Sequence, residues 1–369
     1  MSVPFVHRSL WHEKGTLVLS VLGVAASLTL IVLLNSFRDG MYGVLSAYTD
    51  SMEADLIVAQ SGGQGSFVTS AIPAAIHDEL GSVSDAVAVE HVLAADIIFT
   101  YGDIKTPATL IGYNLETDIG GPWKLIEGRN VRNDSEITLD TWLARRAGIG
   151  IGDSINVLGR NFTIVGLTHE TASFLGVYLF TSRDAAEAVL QLPGIASFYW
   201  LRLPPGTDVE VVARTIETQI LGVEALTPAQ IETARRNTLA SVIGTPINLM
   251  LLIGFITGTA VMGLAAHTAI VDRMREYGVL KAVGASGYWL RRAVLFETLY
   301  RAGLGFLLGT GLSYFAAQLI MRVFPQFTIA IRPETIGVVS LLGLVMTVLA
   351  ALLPIRRVVA IDPAVVFKA

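Results

Sequence analysis

Residues 271–286 read Val-Asp-Arg-Met-Arg-Glu-Tyr-Gly-Val-Leu-Lys-Ala-Val-Gly-Ala-Ser, a short charged segment between two long apolar ones. No charged residue lies in 247–270 before it, and the chain becomes largely apolar again from Ala293. A charged segment of this length is too short to be a domain. It is therefore predicted to be a loop between two membrane spans.

The spacing within this loop predicts a small amphipathic helix. Four apolar residues can share one helical face, namely Met274, Val279, Leu280 and Val283. The charged side chains lie off that face: Arg275, Glu276 and Lys281. Gly284 stands where a helix C-cap is expected. Two interpretations fit this pattern, a helix that docks on a partner at the cytoplasmic surface and a helix that rests on lipid.

Residues 275–286 resemble the coupling-helix signature of the MacB-like and FtsX-like ABC transporter permeases. That signature is Arg-Glu, an apolar residue, Gly, two apolar residues, Lys or Arg, Ala, an apolar residue and Gly-Ala-Ser. Tyr277 stands where an aliphatic residue is usual. In that family the helix inserts into a groove of a cytoplasmic ATPase. The resemblance thus implies an ATPase-coupling role for Arg275, Glu276, Tyr277, Gly278, Val279, Leu280, Lys281 and Gly284.

The composition is that of a membrane protein. Of 369 residues, 52% are hydrophobic and 15% are charged, whereas soluble domains carry about 25% charged residues. The chain has no cysteine, which excludes disulfides, thiol catalysis and thiolate metal sites.

Hydropathy predicts a fold class with four transmembrane helices and a large extracytoplasmic α/β domain inserted between the first and second. The apolar run from residue 17 is longer than a signal-peptide core and lacks a small-x-small cleavage site, so we expect it to remain as the first span. The predicted segments are a cytoplasmic N-terminus at 1–16, the first span at 17–35, the α/β domain with stalk helices at both ends at 36–242, the second span at 243–271, the cytoplasmic coupling segment at 272–292, the third span at 293–321, an extracytoplasmic loop at 322–335, the fourth span at 336–355 and a cytoplasmic tail at 356–369.

Charge predicts the orientation. Residues 272–292 hold five basic and two acidic residues, whereas 36–242 hold 13 basic and 25 acidic residues. The positive-inside rule therefore places both termini and the coupling segment in the cytoplasm and the large domain outside. The family resemblance implies that the membrane is a bacterial inner membrane. The negative charge of that domain argues against nucleic acid as a ligand.

A stalk is predicted after the first span. Apolar residues continue there on one helical stripe, at Phe37, Met41, Val44, Leu45, Tyr48 and Met52. The expected partner is the segment before the second span, where Ile231, Leu239, Val242 and Ile243 share a face. The alternative is an ordinary surface helix packed on its own domain.

Alternating patterns predict the secondary structure of the inserted domain. The predicted strands are 55–59, 86–100, 105–113, 136–139, 154–158, 161–166, 177–180 and 197–203, with turns at 101–103 and at Gly159-Arg160. The predicted helices are 72–80, 141–147, 184–191 and 208–219. Residues 143–148, 152–157 and 162–166 also resemble the Gly-Asp pattern of the extracytoplasmic domain of the same permeases.

The third span contains two charges, Glu297 and Arg301, at a spacing that allows an ion pair on one helix face. Intramembrane charges are candidates for function, although a structural pair is the alternative. Phe296-Glu297, followed by Gly303, Gly305 and Gly309, resembles the third-helix signature of the family, in which a small or apolar residue is usual at the position of Arg301. The Gly305 and Gly309 pair is typical of a close helix–helix contact.

Catalytic motifs are absent from the sequence. It has no Gly-Lys dipeptide and so no P-loop, and no His-Glu-x-x-His motif; its six histidines are scattered, so neither a catalytic residue nor a metal ligand is predicted. The tail, 356–364, resembles the closing pattern of the family, paired basic residues followed by Asp-Pro.

The resemblance implies a non-catalytic permease subunit of a type VII, mechanotransmission exporter, in the DevC-like form whose ATPase is a separate chain. Such a permease works as a homodimer with two ATPases that bind ATP and magnesium, so no cofactor is expected on this chain. A periplasmic adaptor is a further possible partner. The expected substrates are amphiphiles such as glycolipids, lipoproteins, peptides, haem or drugs. The alternative function is an FtsX-like regulator that activates an extracytoplasmic cell-wall hydrolase.

Overall fold

A computed structural model describes residues 14–51, 54–63, 70–173, 176–324 and 327–360. The described chain divides into two compact units. The membrane unit comprises residues 14–39, 243–324 and 329–360, and the inserted domain comprises residues 40–242 together with 327–328.

The helices, in chain order, are α1 Lys14–Asp50, α2 His77–Ser84, α3 Thr141–Ala147, α4 Arg183–Leu190, α5 Val209–Gln219, α6 Pro228–Leu239, α7 Thr245–Asp272, α8 Met274–Ala282, α9 Gly287–Val323 and α10 Pro333–Val359. The strands are β1 Leu56–Gln60, β2 Ile72–Pro73, β3 Ala88–Tyr101, β4 Ile104–Tyr113, β5 Leu125–Gly128, β6 Glu136–Asp140, β7 Ser154–Val157, β8 Arg160–Thr168, β9 Ala172–Ser173, β10 Gly176–Ser182, β11 Ile195–Ala196, β12 Phe198–Arg202 and β13 Val223–Leu226. A single π-helical turn, Ala240–Gly244, connects α6 to α7.

Four helices in the described part of the chain are long and apolar enough to cross a membrane. These segments are Leu17–Gly43, Thr245–Asp272, Gly287–Val323 and Pro333–Val359. The inserted α/β domain lies between the first and second of them in sequence, which confirms the predicted fold class. The first, third and fourth helices extend beyond their predicted spans at both ends, because hydropathy detects only the apolar part of a longer helix, whereas α7 begins at Thr245, two residues after its predicted start.

The membrane unit is held together by close packing of α1 against its neighbours. Val24 and Leu28 of α1 share a buried core with Met262 of α7 and Met346 of α10. The predicted glycine pair of α9 lies against α1, where the Thr29 hydroxyl donates to the Gly309 carbonyl at 3.0 Å. Contact between helices in lipid depends on such small residues because lipid offers no hydrophobic driving force for association.

The inserted domain is built on a mixed sheet. Within the described residues its strand order is β13-β1-β12-β3-β4-β10-β6-β8-β5, with β7 paired to β8 and β9 to β10. The β4–β10 and β6–β8 pairs are parallel, and the other pairs of this sheet are antiparallel. Most of β6 and β12 is buried, as expected for strands covered on both faces.

Turn chemistry sets the hairpins of this sheet. Strands β3 and β4 pair with Tyr101 opposite Ile104, as the predicted turn requires. The β7–β8 turn was predicted at Gly159-Arg160, but it lies at Leu158-Gly159. Both of these residues have positive φ, 49° and 90°, and the Asn156 side chain accepts from the Gly159 amide at 3.0 Å. Two left-handed residues suit a two-residue hairpin turn, and Arg160 is thereby free to begin β8.

The helix predicted at 72–80 begins later than expected. Ile72 and Pro73 form β2 and pair with Ile195 and Ala196, and the α-helix begins at His77. Pro73 has no amide hydrogen, and its preference for extended backbone suits a short edge strand.

We expect the inserted domain to lose stability in acid through His91. Burial, reinforced by the charge of Arg183 and by His77, lowers the pKa of His91 from 6.5 to about 4. A histidine whose folded pKa is depressed stabilises the fold fully above about pH 6.5 and loses that contribution as pH falls toward 4, for a change of about 3 kcal/mol.

Thermal unfolding of the full chain at pH 7.5 and pH 4.5 measures this effect. The drop in Tm should be smaller in His91→Gln than in the wild type, because the variant has no imidazole to protonate. His169→Gln is the matched control, since the His169 side chain is 54% exposed. An equal drop in Tm for His91→Gln and the wild type would contradict the prediction.

Candidate functional site

The coupling segment contains a short helix with defined ends. Arg273 interrupts the helical path between α7 and α8, with φ −108° and ψ 16°. Gly284 follows the end of α8 with φ +102°. The Gly284 amide donates to Lys281 O at 3.1 Å and the Ala285 amide to Leu280 O at 3.0 Å, which is the paired arrangement of a Schellman motif. Gly284 therefore ends the helix as predicted.

The face that α8 buries within the chain is not the apolar face that the spacing predicted. Buried or half-buried residues recur at Met274, Tyr277, Gly278 and Lys281, the spacing of one helical face. Met274 and Tyr277 pack against the ends of the long helices, in a cluster with Ile270, Leu290, Val294 and Val358. The side chains of Tyr277 and Met274 bury more apolar surface in this cluster than those of Val279 and Val283 would. The helix therefore packs with Tyr277 and Met274 facing the cluster.

The outward face of α8 combines charge and apolar surface. Arg275 and Glu276 are exposed, and Val279 and Val283 are 41% and 83% exposed. Leu280 is half-buried. We predicted that both Glu276 and Gly278 contact the ATPase, and this stays a prediction. Within the chain Gly278 is buried, whereas Glu276 is exposed. Glu276 remains available.

Lys281 anchors α8 to the fourth span. Its ammonium donates to the backbone carbonyl of Val359 at 2.7 Å. Val359 is the last residue of α10, where carbonyls lack helical partners and the helix dipole favours a cation. Lys281, to which the resemblance gives an ATPase-coupling role, thus also ties α8 to the end of α10.

A buried polar cluster joins α8 to α9. The Arg301 guanidinium lies 2.7 Å from Glu297 Oε1, so the predicted intramembrane ion pair is present. Arg273 Nη1 lies 3.5 Å from the same oxygen, and the Tyr277 hydroxyl donates to Glu297 Oε2 at 3.3 Å. Burial, together with the Glu297 charge, raises the pKa of Tyr277, which keeps the phenol protonated as a donor.

Sequence reasoning did not find Arg273 or the role of Tyr277 in this cluster. Their spacing, i and i+4, places both on one side of a helix turn and was the available signal. The contact between Tyr277 and Glu297 could not be predicted from spacing, since the two residues lie on different helices. The turn at Gly284 brings these helices together.

The stalk prediction can be followed along α1. Helix α1 is continuous from the first span to Asp50. Phe37 is half-buried, Met41 is 7% exposed and Tyr48 is 2% exposed. The side chains of Val44, Leu45, Leu239 and Val242, and residue Met52, lie outside the described part of the chain.

Tyr48 enters an aromatic cluster in the inserted domain. Its ring centroid lies 5.7 Å from Trp123 and 5.8 Å from Tyr178. Its hydroxyl donates to Gly120 O at 3.2 Å. Tyr48 also shares its buried core with Ile231 of the other stalk segment, and Arg236 lies over the Tyr42 ring at 5.4 Å. Within the inserted domain, the two stalk segments therefore meet, and α1 also packs on its own domain.

Metal or cofactor ligands do not converge in this region. Among the residues that the structure describes, no three His, Asp or Glu side chains are grouped so that they could hold a metal ion.

Comparison with known proteins covers nearly the whole chain. Residues 17–219 match the family model of the MacB-like periplasmic core domain, and residues 248–363 match that of the FtsX-like permease C-terminal domain. The chain is 23% identical to an uncharacterized ABC transporter permease of Mycobacterium tuberculosis, over 98% of this chain and 97% of that one. A second permease named in the same way, also from Mycobacterium tuberculosis, is 21% identical over the same shares of the two chains.

Among solved structures, the periplasmic region of MacB from Actinobacillus actinomycetemcomitans is similar at 13% identity and a TM-score of 0.40, over 53% of this chain and 98% of that one. The first family model alone spans more than half of the sequence, and the second matches the segment that holds the coupling helix. The chain is accordingly a multi-pass membrane protein that belongs to the MacB-like and FtsX-like family of ABC transporter permeases.

Proposed function

We propose that this permease is the non-catalytic subunit of an exporter and that a separate ATPase docks on the outward face of α8. The observation that carries the proposal is the two-sided character of this helix. Tyr277 is buried against the membrane helices and Gly278 is buried beside it, while Arg275, Glu276 and Val283 are exposed. A helix resting on lipid turns its apolar residues to the bilayer and its charges away. Here the exposed valines lie beside the charged pair, as at a protein interface with an apolar centre and a polar rim.

Motion of the ATPase is passed through α8 to the membrane helices and on to the inserted domain. Support comes from α1, which is one unbroken helix whose Tyr48 is fixed in the aromatic cluster. A continuous helix transmits displacement along its axis because its backbone hydrogen bonds resist extension. The permease works as a homodimer, with an adaptor as a further partner of the domain.

The termini and α8 lie on the cytoplasmic side of a bacterial inner membrane, and the inserted domain lies on the opposite side. The excess of basic residues in 272–292 and of acidic residues in 36–242 supports this orientation. The spans carry too few polar side chains to line a water-filled pore. The substrate class is therefore an amphiphile taken from the outer leaflet of the membrane, which needs no aqueous path.

A photocrosslinking amino acid placed at Val283 tests the docking surface. In the full chain, expressed in its own host at native level, we expect this residue to form a covalent adduct with a P-loop ATPase, which peptide mass spectrometry identifies. The same amino acid at Leu307 of α9 is the matched control, since this apolar residue is 69% exposed and lies mid-span. It should give lipid adducts alone. Lipid adducts alone at Val283 would show that α8 rests on the bilayer and would overturn the docking proposal.

A further inference from the structure

Two buried side chains, Tyr277 and Arg301, meet at one carboxylate. The two side chains bind the same carboxylate, Tyr277 at Glu297 Oε2 and Arg301 at Glu297 Oε1, at 3.3 Å and 2.7 Å. They lie on different helices, α8 and α9, so the shared contact is tertiary.

The contact of Tyr277 and Arg301 with Glu297 is buried. Tyr277, Glu297, Arg301 and Arg273 are all less than 9% exposed. Two nitrogens of Arg301, Nε and Nη1, have no hydrogen-bond partner in the described part of the chain. The guanidinium therefore contacts Glu297 through Nη2, and the cost of burying this cation favours keeping the carboxylate beside it. An apolar contact between α8 and α9 allows sliding, whereas a hydrogen bond to a fixed carboxylate requires one relative position.

We propose that Tyr277 is a positioning residue that locks the coupling helix to the third span through Glu297, and that Arg301 holds the carboxylate for this bond. The proposal rests on the proposed function, in which the ATPase moves α8. With the lock in place, α8 and α9 move as one body. Helix α9 in turn contacts α1 at Gly309, so the displacement of α8 reaches the helix that enters the inserted domain.

The absence of cysteine in the chain allows two spin labels to be placed without removing a native thiol. Labels at Val279 and Leu307, both exposed, report the distance between α8 and α9 in the full-length chain in lipid nanodiscs. The wild type should give one narrow distribution of distances. Tyr277→Phe removes the hydroxyl alone, and the ratio of displaced to locked α8 should rise about tenfold, the effect of one hydrogen bond to a charged group.

Tyr314→Phe is the matched control. This tyrosine is also on α9 and is 46% exposed, and its variant should keep the narrow distribution. A wild-type distribution in Tyr277→Phe would overturn the proposal. Arg301→Leu removes the guanidinium that places the carboxylate, while Arg273 still lies 3.5 Å from Glu297 Oε1, so the carboxylate keeps a cation beside it. This variant should broaden the distribution as Tyr277→Phe does, and a narrow distribution would overturn the assigned role of Arg301.

The same labels separate this inference from the docking proposal. The distance measurement needs no ATPase, so it tests the lock even if Val283 forms no ATPase adduct. In the reverse case, Tyr277→Phe should still form the adduct at Val283. A loss of that adduct would mean that Tyr277 shapes the docking surface and would overturn the lock as a separate device.

Discussion

Replacing Gly309 with leucine is expected to remove most of the correctly folded protein from the membrane. A Cβ atom at this position lies 2.8 Å from the backbone oxygen of Ala25 and 3.2 Å from its Cα. Backbone atoms cannot rotate away as a side chain can, so α1 and α9 must separate. The separation also breaks the hydrogen bond from Thr29 to the Gly309 carbonyl. Overpacking of this kind costs about 3 kcal/mol, a large share of the roughly 5–15 kcal/mol by which proteins are stable.

Gly311→Leu provides a matched control two residues along the same helix. A Cβ atom at Gly311 meets nothing within 4 Å, and leucine favours helix more than glycine does, so this variant should be neutral or slightly stabilised. The measurement is the monodisperse fraction of a fluorescent fusion in detergent, by size-exclusion chromatography. Equal yields for the two variants would show that the α1–α9 contact does not hold the membrane unit together.

Replacing Tyr48 with alanine is expected to loosen the end of α1 within the inserted domain. The side chain is 2% exposed and contacts Trp123, Tyr178, Phe198 and Trp200. Loss of a buried aromatic side chain costs about 3 kcal/mol or more, because it forfeits burial and leaves a cavity. That change corresponds to about hundredfold faster local opening. Hydrogen exchange of residues 40–51 in the full chain, followed by mass spectrometry, measures this opening.

Tyr42→Ala is the comparison variant on the same helix. Tyr42 is half-buried and its ring lies under Arg236, a contact worth about 1 kcal/mol or less at an exposed site. Exchange in residues 40–51 should therefore change much less than in Tyr48→Ala. A similar change in both variants would show that Tyr48 contributes surface packing alone and does not fix α1 to the aromatic cluster.

Local patterns determined the parts of this protein that depend on neighbours in sequence. The spans were predictable because membrane insertion depends on the apolar content of about 20 consecutive residues. Helix α3 was predicted at its observed bounds, 141–147; Asp140 caps its start and Gly148 follows its end with positive φ. The β3–β4 hairpin was predictable because Gly102 and Asp103 suit a two-residue turn. The ion pair between Glu297 and Arg301 follows from their spacing on one helix.

Tertiary structure decided the features that depend on residues distant in sequence. The parallel pairs β4–β10 and β6–β8 join strands whose own alternation gives no information about their neighbours. The short strands β5 and β13 were not predicted. The buried face of α8 is determined by its contacts with the ends of the long helices. There Tyr277 packs in an apolar cluster, and Lys281 donates to a backbone carbonyl. A helical repeat in the sequence shows that a short helix is amphipathic. Which of its faces is buried depends on the free energy of packing against the neighbouring elements, and the sequence of the helix alone does not give that energy.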